Sequence, residues 1–219
     1  MKYKCLILDH DDTVVNSTAT IHYPSFIEYL KVARPDRVDE YNLEIFISKN
    51  FNPGILSLFK DELGLSEAEL DEEQEFWDRF VNTRVPTAYS GIREIIERFE
   101  REGGIVAVAS HSLTKFIERD YRANGLPMPS VIYGWELDRD KRKPSPFAVR
   151  DLMEKYGLEK EDILMVDDLK PGFDMARAAG IDFAAAGWAY SVPEIKEFMK
   201  QHSDFYLDSV AELEKLLFR

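Results

Sequence analysis

The sequence predicts an α/β protein: a mostly parallel sheet flanked by helices, with an all-helical subdomain inserted after the first strand. Three observations carry this prediction. The chain opens with a short apolar run, Tyr3 to Leu8, that stops at carboxylates, as a buried strand of a parallel sheet does. From Ile21 to Val85 the apolar spacing is helical throughout. From Ile92 to the end, short apolar runs alternate with amphipathic segments, the grammar of successive βαβ units.

Taken in order, the first strand covers Tyr3–Leu8 and Thr13–Ser17 is a turn leading outward. His22–Ala33 brings Phe26, Ile27, Tyr29 and Leu30 together at helical spacing. Pro35-Asp36 breaks the chain, and Asp36 is expected to cap a second helix over Val38–Ser48. Asn52-Pro53-Gly54 is a further break, with Asn52 as cap and Pro53 at the first position of a helix running Ile55–Leu63. Ser66-Glu67-Ala68-Glu69 is a capping box opening a long acidic helix to about Thr83, read as a solvated face. Residues 86–91 form the return linker. Helix Ile92–Glu102, strand Ile105–Ala109, helix Leu113–Ala123 and strand Ser130–Tyr133 follow. Next come helix Pro146–Tyr156, strand Ile163–Val166, helix Pro171–Ala179 and strand Phe183–Ala186. Helix Val192–Lys200, edge strand Phe205–Leu207 and helix Val210–Leu217 close the chain. The division expected is a core of residues 1–16 and 88–219, with a helical cap at 17–87.

Composition narrows the function. The 219 residues are 45% hydrophobic, enough for a sizeable core, and carry a net charge of -13. Such an acidic chain repels nucleic acid and anionic membranes, so neither is expected as a partner. It also repels phosphorylated compounds unless a cation or local basic groups intervene. Cys5 is the only cysteine, which excludes internal disulfides and cysteine-rich zinc sites. The opening apolar run is too short for a signal peptide, and no segment approaches the ~18 apolar residues of a membrane span. A cytoplasmic location is the default expectation. Oligomeric state is left open.

Four strand ends carry polar groups: Asp9 with Asp11; Ser110, followed by His111 and Ser112; the basic stretch Arg139–Lys143; and Asp167-Asp168. In a parallel sheet the C-terminal strand ends share one edge, so these groups can converge. Together they suit phosphoryl transfer assisted by a hard divalent cation such as Mg²⁺, which prefers carboxylate and phosphate oxygens. Read singly, each has a plainer use. Ser110 fits the N-cap of the next helix, Lys143 a solvated lysine, and Lys141 competes with Lys143 for any role. His10 alternates with Asp9 and Asp11 and is expected to face the other way.

The motifs Asp9-His10-Asp11-Asp12-Thr13, Ser110, Lys143-Pro144-Ser145-Pro146 and Asp167-Asp168 with Ala179-Gly180, in this order, resemble the haloacid dehalogenase (HAD) superfamily. The similar branch has a helical cap after the first strand of a Rossmann-like core, and includes phosphoglycolate phosphatase-like and beta-phosphoglucomutase-like proteins. The resemblance implies that Asp9 is the nucleophile forming an aspartyl-phosphate and that Asp11 is the acid/base, with a raised pKa. Ser110 and Lys143 would bind the phosphoryl group. Mg²⁺ would be held by Asp9, the Asp11 carbonyl and Asp168, with Asp167 assisting. Asp12 and His111 are expected near the substrate, a small phosphorylated metabolite, and cap contacts are expected near His22, Phe51-Asn52 and Arg84. The implied activity is a Mg²⁺-dependent phosphatase. The alternatives are a sugar phosphomutase of the same fold or a non-catalytic phosphate- or metal-binding member. A dehalogenase would lack Asp11, and a phosphonatase would need a Schiff-base lysine in the cap.

Three positions depart from the family pattern. Asp12 replaces the usual Gly, so it either points away, pairs with a cation such as Lys143, or selects the substrate. Asn16 stands where an Asp is common. Gly172 stands where many members carry another acid, with Asp174 offering a partial substitute.

Overall fold

The computed structural model describes residues 1–218. All six strands are parallel: β1 (Cys5–Leu8), β2 (Ile105–Ala109), β3 (Val131–Tyr133), β4 (Ile163–Asp167), β5 (Asp182–Ala186) and β6 (Phe205–Leu207), in the order β3-β2-β1-β4-β5-β6. The order reverses at β1, which pairs with β2 on one side and β4 on the other. Such a switch point opens a crevice at the C-terminal strand ends. Leu8 lies level with both Val108 and Val166, so the residues following β1, β2 and β4 emerge at similar heights.

Every residue of β1 and β4 is buried, which explains why these strands read as unbroken apolar runs. On one face Leu6, Leu8, Val106, Val108, Leu164 and Val166 pack with α5 (Ile92–Arg101), α6 (Thr114–Ala123) and α10 (Val210–Leu217). The opposite parity, Cys5, Ile7, Met165 and Phe183, is equally buried. There α8 (Lys170–Ala179) packs against β4 and β5, with α7 (Phe147–Tyr156) beside it.

The chain divides into two compact units. One comprises residues 1–16, 87–191 and 196–219 and holds the sheet; the other comprises 17–86 with 192–195. The second unit is built from α1 (Tyr23–Ala33), α2 (Leu43–Phe51), α3 (Ile55–Ser57) and α4 (Glu67–Thr83). Its core gathers Phe26, Tyr29, Leu30, Tyr41, Phe46, Leu58 and Phe59. Phe26 touches three aromatic rings, those of Tyr41, Phe46 and Phe59. The capping box at Ser66 and Glu69 forms as expected. Glu69 also takes the Arg34 guanidinium at 2.6 Å, tying α4 to the end of α1.

Two boundaries differ from the sequence reading. Asp36 caps no α-helix: residues Pro35–Glu40 form a short 3₁₀ turn, the chain extends at Tyr41, and Asn42 caps α2 by accepting from the Ile45 N–H. Asn52 closes α2 instead of opening the next helix, because Gly54 adopts φ 109°, outside any helix, before Ile55. The third helix then widens into a π-type turn over Leu58–Glu62.

Phe26→Ala removes the hub of the helical unit's core. It should cost about 3–5 kcal/mol in a urea unfolding experiment, the range for a large buried aromatic.

Candidate active site

The site begins with what happens when β1 and β4 end side by side. The Asp9 N–H donates to the Val166 carbonyl at 2.9 Å, continuing the ladder one step beyond the strand. This sets Asp9 beside Asp167, the last residue of β4. Both carboxylates are buried, and Lys143 bridges them: its Nζ lies 2.8 Å from Asp9 Oδ1 and 2.6 Å from Asp167 Oδ2. Burial opposes charge on the Lys143 ammonium, but Asp167 and Asp9 more than offset it and hold its pKa above the usual lysine value. Lys141 instead pairs with Asp138 at 2.6 Å, which decides between the two lysines.

Burial and the neighbouring Asp9 push the Asp167 carboxyl up to about 7, although Lys143 and the Leu169 N–H act in the other direction. Asp168 is raised well above the ordinary carboxylate range by burial first, then by Asp167, Asp12 and Asp9. One oxygen from each of Asp9, Asp167 and Asp168 lies within 4.8 Å of the others. Three buried carboxylates at that spacing are a hard, all-oxygen donor set that a divalent cation fits. Gly172 belongs to this arrangement: a Cβ there would come 2.1 Å from Asp167 Oδ2. The residue is glycine because α8 passes directly against the carboxylate, leaving no room for an acid at that position. Asp174 does not substitute for it, because its carboxylate pairs with Lys170 at 2.6 Å along the same helix.

Asp11 lies on the other side of Asp9's chain segment and is held by hydroxyls. Ser112 Oγ donates to Asp11 Oδ2 at 2.6 Å, and Ser110 Oγ approaches the same oxygen at 3.5 Å. Ser110 is therefore not the cap of α6, which starts after Leu113 and whose Thr114 N–H donates to Glu136. His111 sits at the same turn, its Nε2 3.0 Å from the Lys143 carbonyl and its ring edge-on to Trp135. Asp12 is buried with φ 55°, the left-handed region that Asp tolerates better than most residues. Lys143 is engaged by Asp9 and Asp167, whereas Asp12's charge acts on Asp168, Tyr190 and Tyr89, raising the pKa of each.

The structure thus brings Asp9, Asp167, Asp168 and Lys143 into one buried cluster, with Asp11, Ser110, Asp12 and His111 around it. His10 faces away, as strand alternation requires. His22, in the helical unit, accepts a hydrogen bond from Trp77 Nε1 on Nδ1 at 3.0 Å, and Arg84 donates to the Thr20 carbonyl. Three participants had no role assigned from the sequence. Thr13 Oγ1 donates to Asp168 Oδ1 at 3.3 Å, Tyr190 OH donates to Asp168 Oδ2 at 2.7 Å, and Ser112 holds Asp11. Tyr190 follows β5, whose parallel direction already placed its C-terminal end on the same edge.

A doubly wound α/β protein with a lysine-bridged aspartate cluster at its switch point is the class that fold and site define. Residues 6–186 match the family model of the haloacid dehalogenase-like hydrolases, and the chain belongs to that family. It is 29% identical over 126 residues to a phosphoglycolate phosphatase of Vibrio parahaemolyticus, a match covering 57% of this chain and 54% of that protein, so the chain spans about half the length of that relative. A phosphoglycolate phosphatase of Mannheimia succiniciproducens is 24% identical across 99% of both chains. Among solved structures, a predicted phosphoglycolate phosphatase from Haemophilus somnus superposes with a TM-score of 0.77, at 20% identity over 99% of each chain. That likeness supports the fold. No helix among the described residues is long and apolar enough to cross a membrane.

Lys143→Ala leaves two buried carboxylates without their cation. In chelator at pH 8 it should lower stability by about 3–5 kcal/mol, the cost of breaking a buried pair. Asp167, already displaced upward to about 7, takes a proton as the pH falls, so the loss should be smaller at pH 6. Denaturant unfolding at the two pH values checks this.

Proposed function

We propose that this chain is a Mg²⁺-dependent phosphatase that hydrolyses a small phosphorylated metabolite through an aspartyl-phosphate on Asp9. The observation that carries the reading is the bridge from Lys143 to Asp9 and Asp167, set against Asp168 at the switch point. The relatives named phosphoglycolate phosphatase make phosphoglycolate the first compound to test.

In this reading an Asp9 carboxylate oxygen attacks phosphorus while the bond to the leaving oxygen breaks, and the Asp11 carboxyl gives that oxygen its proton. Asp11, now a carboxylate, takes a proton from water as the water attacks the phosphorus of the aspartyl-phosphate. Inorganic phosphate leaves and Asp9 is restored. Ser112, donating to Asp11 at 2.6 Å, holds the acid/base in place, and Ser110 offers its hydroxyl to the phosphoryl oxygens. Lys143 orients Asp9 and supplies positive charge to the phosphoryl group. Mg²⁺, held by Asp9, Asp168 and the Asp11 main chain, would supply the remaining positive charge when bound. Thr13 and Tyr190 fix the Asp168 carboxylate from two sides.

Hydrolysis of an aryl phosphate should require Mg²⁺, stop on chelation, and be lost in Asp9→Asn; turnover that survives Asp9→Asn would sink the proposal. A panel of phosphorylated metabolites that includes phosphoglycolate then ranks substrates by kcat/KM.

Protons and Mg²⁺ compete for the cluster. Burial and neighbouring carboxylates raise Asp168 well above the ordinary range and Asp167 to about 7, and the metal needs ionised carboxylates. The rise in melting temperature produced by saturating Mg²⁺ should therefore be larger at pH 8 than at pH 6, and equal rises would contradict this.

A further inference from the structure

His10 stands between Asp9 and Asp11 and takes no part in the chemistry above. Alternation sends its side chain into the core, where it is 1% exposed, beside the Tyr121 ring at 5.9 Å. There its Nε2 lies 3.1 Å from Asp120 Oδ2, and Asp120 is 3% exposed. The other oxygen of Asp120 accepts from Arg119 at 2.8 Å. Among the described residues His10 Nδ1 has no hydrogen-bond partner, so the Asp120 carboxylate is what holds the ring. A buried polar pair in a position an apolar side chain would fill is weak evidence for stability and better evidence for a fixed geometry.

What the pair fixes is visible in the backbone. The His10 carbonyl accepts from both the Val14 and Val15 N–H groups, at 3.0 and 3.1 Å, and the Asp12 N–H returns to the Val15 carbonyl at 2.7 Å. His10 therefore closes the turn with its main chain and anchors it to α6 with its side chain. One turn further along α6, Asn124 donates to the Asp120 carbonyl at 2.9 Å and accepts from the Ala88 N–H at 2.8 Å. Ala88 is paired in turn with Val15. The outgoing segment at Val15 and the returning segment at Ala88 are thus tied to the same stretch of helix that holds His10.

We propose that His10 and Asp120 are positioning residues: their hydrogen bond sets the rotation of residues 9–11, so that Asp9 meets Lys143 while Asp11 meets Ser112. The effect on turnover rests on the phosphatase reading; the effect on the loop does not. The variants are His10→Gln, which keeps a donor at that reach, Asp120→Leu, and the double variant His10→Leu/Asp120→Leu. Removing both partners together avoids stranding a buried charge, so the double variant should fold even if Asp120→Leu does not. Two readouts are taken.

In the first, the amides of Val14 and Val15 should exchange on the order of tenfold faster in the double variant, with β2 and β4 unchanged. In the second, kcat on an aryl phosphate should fall on the order of tenfold to a hundredfold with KM unchanged, because misaimed groups lose rate before binding. His10→Gln should restore most of both. Unchanged exchange at Val14 and Val15 in a folded double variant overturns the proposal, as does a wild-type kcat. Absence of turnover in the wild type would count against the phosphatase reading alone, and the exchange measurement would still decide this one.

Discussion

The site depends on one ammonium placed between two buried carboxylates. Parallel pairing of β1 with β4 brings Asp9 and Asp167 level, and both carboxylates are buried. Lys143 arrives from the loop after β3 and bridges the pair with two short contacts. Much around it serves this contact. Gly172 lets α8 pass against Asp167, the Leu169 N–H takes the carboxylate's other oxygen, and His111 meets the Lys143 carbonyl. Such a pair contributes little net stability, since desolvation offsets the Coulomb attraction. Its value is directional: Asp9 keeps one orientation toward the crevice.

The same economy of groups explains the flanks. Asp168 is held by Thr13 and Tyr190, and Trp188 donates to the Thr13 carbonyl at 3.2 Å. The end of β5 is thereby coupled to the first loop of the chain. Asp11 is held by hydroxyls from the loop after β2. The Asp9–Asp167 pair, Asp168 and Asp11 take their side-chain partners from different loops, which is how a switch-point site keeps several like charges apart yet close.

Most of the fold could be read in the sequence because the core strands are buried on both faces, so that apolar runs and turns alternate without ambiguity. The helical insert was legible as helical, with α1 and α4 close to their observed bounds, but α2 was misplaced. Asp36 looks like a cap by residue type, but whether the chain turns into a 3₁₀ segment there depends on packing around Tyr41 that no local pattern encodes. In the site, Asp9, Asp11, Ser110, Lys143 and Asp167-Asp168 stood out as polar groups at apolar strand ends. Thr13 and Ser112 lie at those strand ends too but, like Tyr190, took no role there, because hydroxyl residues in loops are common and their worth depends on which carboxylate they meet in space. Gly172 read as a missing acid, while in the structure it is a close-packing requirement.

Asp12 stands in the first loop, after Asp9 and Asp11. Its left-handed φ explains how a side chain is accommodated where the family pattern has glycine, and its burial shows that the side chain stays within the fold. Of the roles open to it, pairing with Lys143 is the one the geometry disfavours, since that ammonium is already shared by Asp9 and Asp167. Its charge is felt instead at Asp168 and Tyr190. Positive charge thus lies on the Asp9–Asp167 side of the cluster, and an additional negative charge on the Asp168 side. Among the described residues that the site brings together, five are aspartates, Asp9, Asp11, Asp12, Asp167 and Asp168, and one is a lysine, Lys143. On the proposed phosphatase reading, a phosphate dianion would be repelled by whichever of these carboxylates are ionised, and a divalent cation would offset that repulsion. On that reading, Asp12 in place of glycine would add to the negative charge that a cation near Asp168 would offset.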